Sequence, residues 1–234
     1  MTGRGVTLAS GRRPHFVTVG SIIGRATRSS IVWGSGSFGS ERASALPAEA
    51  TYTAVRGPLT RSRLGDLGID CPAVYGDPAL LAPVYYAPDV PQTHRLGIII
   101  RHSEHRWREL SLADDVKLID LSTSDVDGTI REILSCQEIL SSSLHGLIIA
   151  DAYGIPNAWL GADRSIGGSR PNGGEYKYHD YFASVEKLRR PVVPEFRDGM
   201  SAAGVEDQVE FDDRPIRWDP EPLLDACPFM RRTE

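Results

Sequence analysis

Residues 138–160 constrain the fold of this chain more than any other stretch of its sequence. They read EILSSSLHGLIIADAYGIPNAWL, which is an apolar run, three serines, a helical apolar pattern, a Gly-Ile-Pro stop and a second apolar run. This order predicts a strand, a polar turn, a helix and another strand, which together form a βαβ unit. His145 falls where the first strand ends and the helix begins. Ligands of open α/β sheets bind at that edge, and the N–H groups of a helix amino end favour an anion.

Similar alternation of apolar runs and helical patterns extends along the rest of the chain. Strands are predicted at 31–33, 51–55, 73–75, 96–100 and 116–121, and helices after Pro58, at 124–134 and at 176–185, while 16–23 mixes β-branched residues around Gly20. Strands that alternate with helices are typical of parallel sheets. The proline-containing stretch 85–94 resembles an interdomain linker. We therefore predict an α/β fold of two Rossmann-like domains that face a cleft, at 1–93 and 94–234, with the active site in the cleft.

Charge and hydropathy exclude several classes of function. The formal net charge is −5, so general nucleic-acid binding is not predicted. No run approaches the ~20 apolar residues of a membrane span, and the start lacks the apolar core, about 7–15 residues long, of a secretory signal. We expect a cytoplasmic protein, with peripheral membrane association left open. The three cysteines are widely spaced and form neither a metal motif nor a disulfide framework. The sequence does not specify the oligomeric state.

A second candidate ligand turn follows the apolar run 31–33. It reads GSGSFG, and the backbone at Gly34 and Ser35 could approach a ligand closely. A plain surface loop is an equally good interpretation. The spacing does not match GxGxxG, so no dinucleotide site is predicted.

Four blocks of the sequence carry a resemblance to a known family. They are SSLHG with the following IA, A and GIP at 142–156, VRGPLT with YGDPA at 55–79, VWGSG at 32–36, and KY-x-DY at 177–181. In these blocks the chain resembles the polysaccharide pyruvyl transferase family, and the exopolysaccharide branch of the succinoglycan type in particular. The resemblance implies a two-domain fold like that of the GT-B glycosyltransferases. It also implies transfer of a pyruvyl group from phosphoenolpyruvate to a glycan or lipid-linked oligosaccharide, which forms a ketal and releases phosphate, with no further cofactor.

The chain departs from the pattern of that family at two points. Many members begin with an Asn-x-Gly-Asp segment and a helix, and the sequence contains no such segment, which leaves open a shortened amino-terminal domain on the acceptor side. Many members also carry arginine where this chain has Ser143. The missing positive charge would then have to come from Arg101, Arg56 or Arg164.

The donor set for phosphoenolpyruvate is predicted around the serine turn. A ligand that carries a phosphate and a carboxylate needs several fixed donors and at least one guanidinium. The turn offers Ser142, Ser143, Leu144 and Gly146 at the amino end of the helix. Arg101 follows the run LGIII and would share this edge if the two strands are parallel neighbours.

His145 is the best candidate acid or base, because the reference pKa of a histidine, about 6.5, is close to the working pH. Asp77 is a candidate base on the other domain, although a helix cap before Pro78 is the favoured alternative. For Arg56, acceptor or phosphate binding is weighed against capping or a surface ion pair. Lys177 could line the cleft, with a solvated amphipathic helix as the equal alternative.

Four further polar residues have simple alternatives to a role in the site. Asp180 is weighed in the same way as Lys177, and His102, Glu104 and His105 are expected to be solvated loop residues rather than metal ligands.

Two other functions compete with pyruvyl transfer. A sugar-nucleotide glycosyltransferase of the same shape would need a nucleobase pocket and a glutamate after the serine turn, whereas Glu138 lies before it. A non-catalytic binding remnant is the third hypothesis.

Overall fold

A computed structural model describes residues 7, 9, 13–101, 104–162 and 173–229 of the chain. They form two compact units, each built from discontinuous segments. The first unit contains the described residues of 1–81, 172–188 and 216–234, and the second those of 82–171 and 189–215. The prediction placed a single division after residue 93. In the structure the second unit starts at Ala82, and two later segments return to the first.

The strands of the chain are separated by α-helices or by short 3-10 turns. In chain order the elements are β1 (His15–Val17), β2 (Ser30–Trp33), β3 (Thr51–Ala54), α1 (Pro58–Asp66), α2 (Ala82–Tyr85), β4 (His94–Ile100), β5 (Val116–Asp120), α3 (Val126–Leu134), β6 (Cys136–Ser141), α4 (Leu144–Ala152), β7 (Asn157–Trp159), α5 (Tyr176–Ser184), α6 (Ala202–Glu206) and α7 (Glu221–Asp225). Short 3-10 turns lie at Ile23–Arg25, Ala43–Ala45, Pro78–Leu81 and His105–Glu109.

The first unit is a parallel sheet of order β1-β2-β3. Helix α1 begins with Pro58 at a first-turn position, where its missing N–H costs nothing. It ends at Asp66, and Gly68, two residues later, has a φ of +71°, which suits the left-handed residue after a helix. The predicted strand at 73–75 is reduced to a single parallel bridge between Val55 and Tyr75. Helix α5 packs against α1, so the segment that lies between the two parts of the second unit belongs to the first.

The second unit is a parallel sheet of order β5-β4-β6-β7. Strand β4 lies between β5 and β6, and Ile98 pairs in register with Leu118 on one side and Leu140 on the other. Because both faces of β4 are covered, its run from Leu96 to Ile100 is apolar without alternation. Asp125 caps α3 by accepting a hydrogen bond of 2.9 Å from the N–H of Gly128.

The predicted α/β class with parallel sheets is confirmed. Strands β4 and β6 are parallel neighbours, which is the condition under which Arg101 was expected to share the edge of the serine turn. That two Rossmann-like domains face a cleft stays a prediction. Across the described ranges, no helix combines the length and the apolar character that crossing a bilayer requires. The cytoplasmic location also stays a prediction.

A buried ionic cluster fixes the carboxyl end of α4 to β7. The guanidinium of Arg189 donates two hydrogen bonds to Asp151, of 2.8 and 3.1 Å, and one of 2.7 Å to Asn157. Its Nε donates to Asp212 at 3.1 Å. Burial raises the pKa of Asp212, but hydrogen bonds from Arg214 and Arg189 outweigh burial, so the net pKa lies below its ordinary value of 3.8. The carboxylate of Asp212 therefore stabilises the folded state in its ionised form.

We expect the Asp212→Asn variant to lose roughly 1.5–3 kcal/mol of unfolding free energy at pH 7, because hydrogen bonds to a charged group are lost. Because the pKa of Asp212 is lower in the folded than in the unfolded state, its carboxylate stabilises the fold fully at pH values above the unfolded pKa. That stabilisation is lost as the pH falls from the unfolded pKa through the folded one. The difference between variant and wild type should therefore shrink below about pH 4. Urea unfolding at pH 7 and pH 3 measures this, and a difference that is equal at both pH values would contradict it.

Candidate active site

The turn between β6 and α4 is held closed by one serine. The Oγ of Ser141 donates to the carbonyl of Ser143 at 2.9 Å and accepts from the N–H of Ser143 at 3.1 Å. Ser143 is the N-cap residue of α4, and its backbone is extended. A Cβ on Gly146 would lie 2.3 Å from the Oγ of Ser141 and 3.0 Å from the side chain of Ile99, so only glycine lets the first turn of α4 approach the sheet this closely. His145 lies in that turn and is half-buried.

Arg101, Glu104 and Ser142 form a hydrogen-bonded network at the carboxyl ends of β4 and β6. The N–H of Arg101 donates to the Oε2 of Glu104 at 3.0 Å and to the Oγ of Ser142 at 3.1 Å. Its guanidinium donates to the Oε1 of Glu104 through Nε, at 3.2 Å, and through Nη2. The hydroxyl of Ser142 donates to the Oε2 of the same carboxylate. The structure thus brings Arg101 beside the serine turn, as the parallel pairing of the strands predicts.

Burial differs among the predicted residues of this edge. Ser142 and Leu144 are buried, Ser143 and His145 are half-buried, and the side chain of Arg101 is 12% exposed. The prediction that Glu104 is a solvated loop residue is wrong, because it is 2% exposed and its carboxylate joins two neighbours. Whether these residues bind phosphoenolpyruvate stays a prediction, and the suggested Arg164 and His102 lie outside the described residues.

In the first unit, a buried ion pair joins the loops that follow all three strands. Arg56 follows β3, and its guanidinium donates to Asp180 at 3.0 Å, to the Oγ of Ser21 at 2.6 Å and to the carbonyl of Ser37 at 2.9 Å. Ser21 follows β1, Ser37 follows β2 and Asp180 lies on α5. Thr60 of α1 donates its N–H and its hydroxyl to Asp180, at 2.8 and 2.7 Å. Arg56 and Asp180 are both fully buried.

This cluster corrects three of the alternatives drawn from the sequence. Arg56 forms the ion pair that was considered, but the pair is buried and not on the surface. Asp180 is not solvated. The GSGS turn is not a surface loop, since residues 34–37 are all buried. The Oγ of Ser35 donates to the carbonyl of Gly20 at 2.9 Å, and a Cβ on Gly34 would meet the ring of Pro78 at 2.4 Å. The substrate roles predicted for Gly34, Ser35 and Arg56 stay predictions.

Two glycines make the buried pair sterically possible. A Cβ on Gly36 would lie 2.2 Å from the guanidinium carbon of Arg56, and a Cβ on Gly57 would lie 2.0 Å from the backbone carbonyl oxygen of Asp180. The blocks VWGSG, VRGPLT and KY-x-DY therefore meet at one place inside the first unit. Residues of the three blocks pack against one another there, and their opposite charges pair.

We expect the Gly57→Ala variant to lose about 1–3 kcal/mol of unfolding free energy or more, because a backbone oxygen cannot yield as a side chain can. Gly65→Ala is the matched control. Gly65 lies in α1 with nothing within 4 Å of an added Cβ, so alanine there should add about 0.5–1 kcal/mol. Denaturant unfolding measures both variants, and equal stability of the two would contradict the close approach.

Two further predicted residues of the first unit have defined contacts. The Oδ1 of Asp77 accepts from the N–H of Ala79 at 3.0 Å, so this carboxylate caps the turn Pro78–Leu81, as its favoured alternative requires. The Nζ of Lys177 lies 5.6 Å from the ring centroid of Phe38 and 5.0 Å from that of Tyr178, within the range of cation–π attraction. The predicted catalytic role of Asp77 and the predicted binding role of Lys177 stay predictions.

Three residues with central contacts were missed from the sequence, namely Glu104, Thr60 and Ser21. The spacing Arg-x-x-Glu after a buried strand was the one local signal for Glu104. Thr60 and Ser21 carry no local signal, because their partners are distant in the sequence. Among the side chains that the structure describes, no group of three or more His, Cys, Asp or Glu could hold a metal ion.

Comparisons with known proteins indicate the same family as the four sequence blocks. The family model described as polysaccharide pyruvyl transferase matches residues 21–164. An uncharacterized protein of Acanthamoeba polyphaga mimivirus is 30% identical over 177 residues, which cover 73% of this chain and 60% of that protein. The succinoglycan biosynthesis protein ExoV of Rhizobium meliloti is 27% identical over 193 residues, which cover 75% of this chain and 55% of that protein. The chain thus spans little more than half the length of these relatives. No solved structure matches the chain significantly.

Proposed function

Since the matching family model covers more than half of its residues, the chain belongs to the polysaccharide pyruvyl transferase family, and from this we propose the reaction that it serves. A pyruvyl group is transferred from phosphoenolpyruvate to a sugar of a polysaccharide or of its lipid-linked precursor. The product is a cyclic ketal, and inorganic phosphate is released. The name of the Rhizobium meliloti relative refers to succinoglycan biosynthesis, which supports a glycan as the acceptor.

One observation carries this proposal beyond the family assignment. The guanidinium of Arg101, the hydroxyl of Ser142 and the amino end of α4 lie together at one edge of a parallel sheet, with His145 in the first helical turn. A helix amino end and a guanidinium both attract an anion that carries phosphate and carboxylate groups. The histidine adds a proton donor or acceptor at the same edge.

The chemistry requires four events at the donor, namely protonation, attack by a hydroxyl, departure of phosphate and ring closure. The CH₂ carbon of phosphoenolpyruvate takes a proton and becomes a methyl group, which makes C2 electrophilic. A sugar hydroxyl then forms a bond to C2 and gives up its proton. The bond from C2 to the phosphate oxygen breaks, and a second hydroxyl adds to C2, loses its proton and closes the ring. In this proposal His145 delivers or accepts a proton, and the hydrogen-bond donors of Arg101, Ser142 and the amino end of α4 hold the departing phosphate.

The test combines turnover with ligand-induced stabilisation. The protein is incubated with phosphoenolpyruvate and a panel of free and lipid-linked oligosaccharides, and acceptor-dependent phosphate release is measured. In parallel, the melting temperature is followed with phosphoenolpyruvate, UDP-sugars and GDP-sugars. Acceptor-dependent phosphate release with stabilisation by phosphoenolpyruvate is the expected result. Stabilisation by a nucleotide sugar alone would indicate a glycosyltransferase, and phosphoenolpyruvate binding without release on any acceptor would indicate a non-catalytic binding protein.

A further inference from the structure

Glu104 is the least expected member of the network at the carboxyl edge of the second sheet. Its side chain is 2% exposed, and one carboxylate receives hydrogen bonds from two strand ends. Arg101 contributes its N–H, its Nε and its Nη2, and Ser142 contributes its hydroxyl. Arg101 follows β4 and Ser142 follows β6, so the carboxylate links the two neighbouring strands just where they end.

Burying a carboxylate has a free-energy cost that only good partners offset. A well-packed apolar side chain of similar volume often stabilises a fold equally well or better than a buried ion pair. Fold stability alone therefore gives little reason for a glutamate at this position. The contacts suggest another reason, because all four donors belong to the two residues predicted to bind the anion.

The geometry of the pair fixes the orientation of the guanidinium. Nε and Nη2 form one side of the planar group, and both donate to the same oxygen, Oε1. The plane of the guanidinium is thereby set by a group on the protein. The other carboxylate oxygen, Oε2, holds the hydroxyl of Ser142 and the N–H of Arg101. A donor that is held before the ligand arrives loses less conformational entropy on binding.

We propose that Glu104 is a positioning residue for anion binding, which acts by holding Arg101 and Ser142 in the orientation that a phosphate group requires. This inference rests on the proposed function in taking phosphoenolpyruvate as the natural anion. Because Glu104 balances the charge of Arg101, affinity at this edge depends on the placement of donors more than on net charge. In catalytic sites, a misplacement of a group by about 1 Å can lower the reaction rate about 100-fold.

The experiment measures binding of inorganic phosphate and of phosphoenolpyruvate to the full chain by calorimetry. Wild type is compared with Glu104→Ala, Glu104→Gln and the control Glu109→Gln, which changes an exposed glutamate of the neighbouring turn. We expect the alanine variant to bind both anions at least tenfold more weakly. Glutamine keeps an acceptor for the guanidinium, so it should recover part of that loss, and the control should match wild type. In turnover, the KM for phosphoenolpyruvate should rise while the KM for the acceptor stays unchanged.

Every other outcome contradicts either the positioning role of Glu104 or the proposed reaction. Dissociation constants within twofold of wild type for both Glu104 variants, even with a lowered melting temperature, would show a merely structural role. If the alanine variant does not fold, the glutamine variant decides, and we expect it to bind phosphate at least threefold more weakly than the control. A wild-type chain that binds neither anion overturns this inference. Binding of phosphoenolpyruvate with glutamate-dependent affinity but no turnover would overturn the proposed reaction alone.

Discussion

The Asp180→Ala variant is expected to lose about 3–5 kcal/mol of unfolding free energy, because it leaves the charge of Arg56 buried without its counter-ion. The loss extends beyond the ion pair. Thr60 donates both its N–H and its hydroxyl to the same carboxylate, and both donors would lose their partner. Chemical unfolding followed by circular dichroism measures this change.

A matched control comes from an exposed pair of the same charge types. Arg197 and Glu195 form an ion pair at 2.9 Å with side chains that are 80% and 77% exposed. Glu195→Ala should therefore change stability by less than about 1 kcal/mol. If Asp180→Ala costs no more than this control, the buried pair does not hold the loops of the first unit together.

A double-mutant cycle separates the pair from its surroundings. We expect Arg56→Met combined with Asp180→Ala to cost less than the sum of the single variants, because the second substitution removes the unbalanced charge. Recovery should stay incomplete, since Ser21, the carbonyl of Ser37 and Thr60 lose partners in any case. Strict additivity of the two substitutions would contradict a direct charge interaction.

The His145→Gln variant should lower kcat for pyruvyl transfer by about 10²–10⁴-fold, the contribution typical of a positioned acid or base. Glutamine is similar in size and keeps hydrogen-bonding groups, but it does not titrate. The fold should be retained, because His145 is half-buried in the first turn of α4 and the turn itself is closed by Ser141 and Gly146.

His179→Gln serves as the control for that variant. His179 is 45% exposed on α5 and lies 3.5 Å from Glu175 of the same helix. Its substitution should leave kcat within a few-fold of wild type. Turnover is measured as acceptor-dependent phosphate release, with the melting temperature as the check on folding. A His145→Gln variant with near-normal turnover would remove this histidine from the proposed chemistry.

Local patterns predicted the second unit well, because its signals lie in short stretches. The apolar run that became β4, the serine turn and the helical spacing of α4 each identify an element without reference to distant residues. The alternation of elements predicted parallel sheets but did not specify which strands are neighbours. Because β4 and β6 do pair in parallel, Arg101 lies beside Ser142. The burial of Glu104 was not predicted, since the spacing Arg-x-x-Glu after a strand does not by itself distinguish a buried carboxylate from a solvated one.

The first unit was harder to predict because its central contact is between residues far apart in the chain. Arg56 and Asp180 are separated by 124 positions, so no periodicity or spacing links them. Arginine and aspartate side chains are usually exposed, so the sequence favours a surface or cleft position for both Arg56 and Asp180. The glycines of the GSGS turn suggested room for a ligand, whereas the space beside Gly36 is filled by the guanidinium of Arg56.

The discontinuity of the first unit has a consequence for its synthesis on the ribosome. Its sheet is complete once residue 54 is made, but Asp180 comes after nearly the whole second unit has been translated. At about 5–20 residues per second, the 124 positions from Arg56 to Asp180 take roughly 6–25 s to synthesise, and Arg56 lacks its counter-ion during that time. Leu223, which accepts a hydrogen bond from Trp33, comes later still. The second sheet, with all four strands between residues 94 and 159, can therefore form while the first unit still lacks its two later segments.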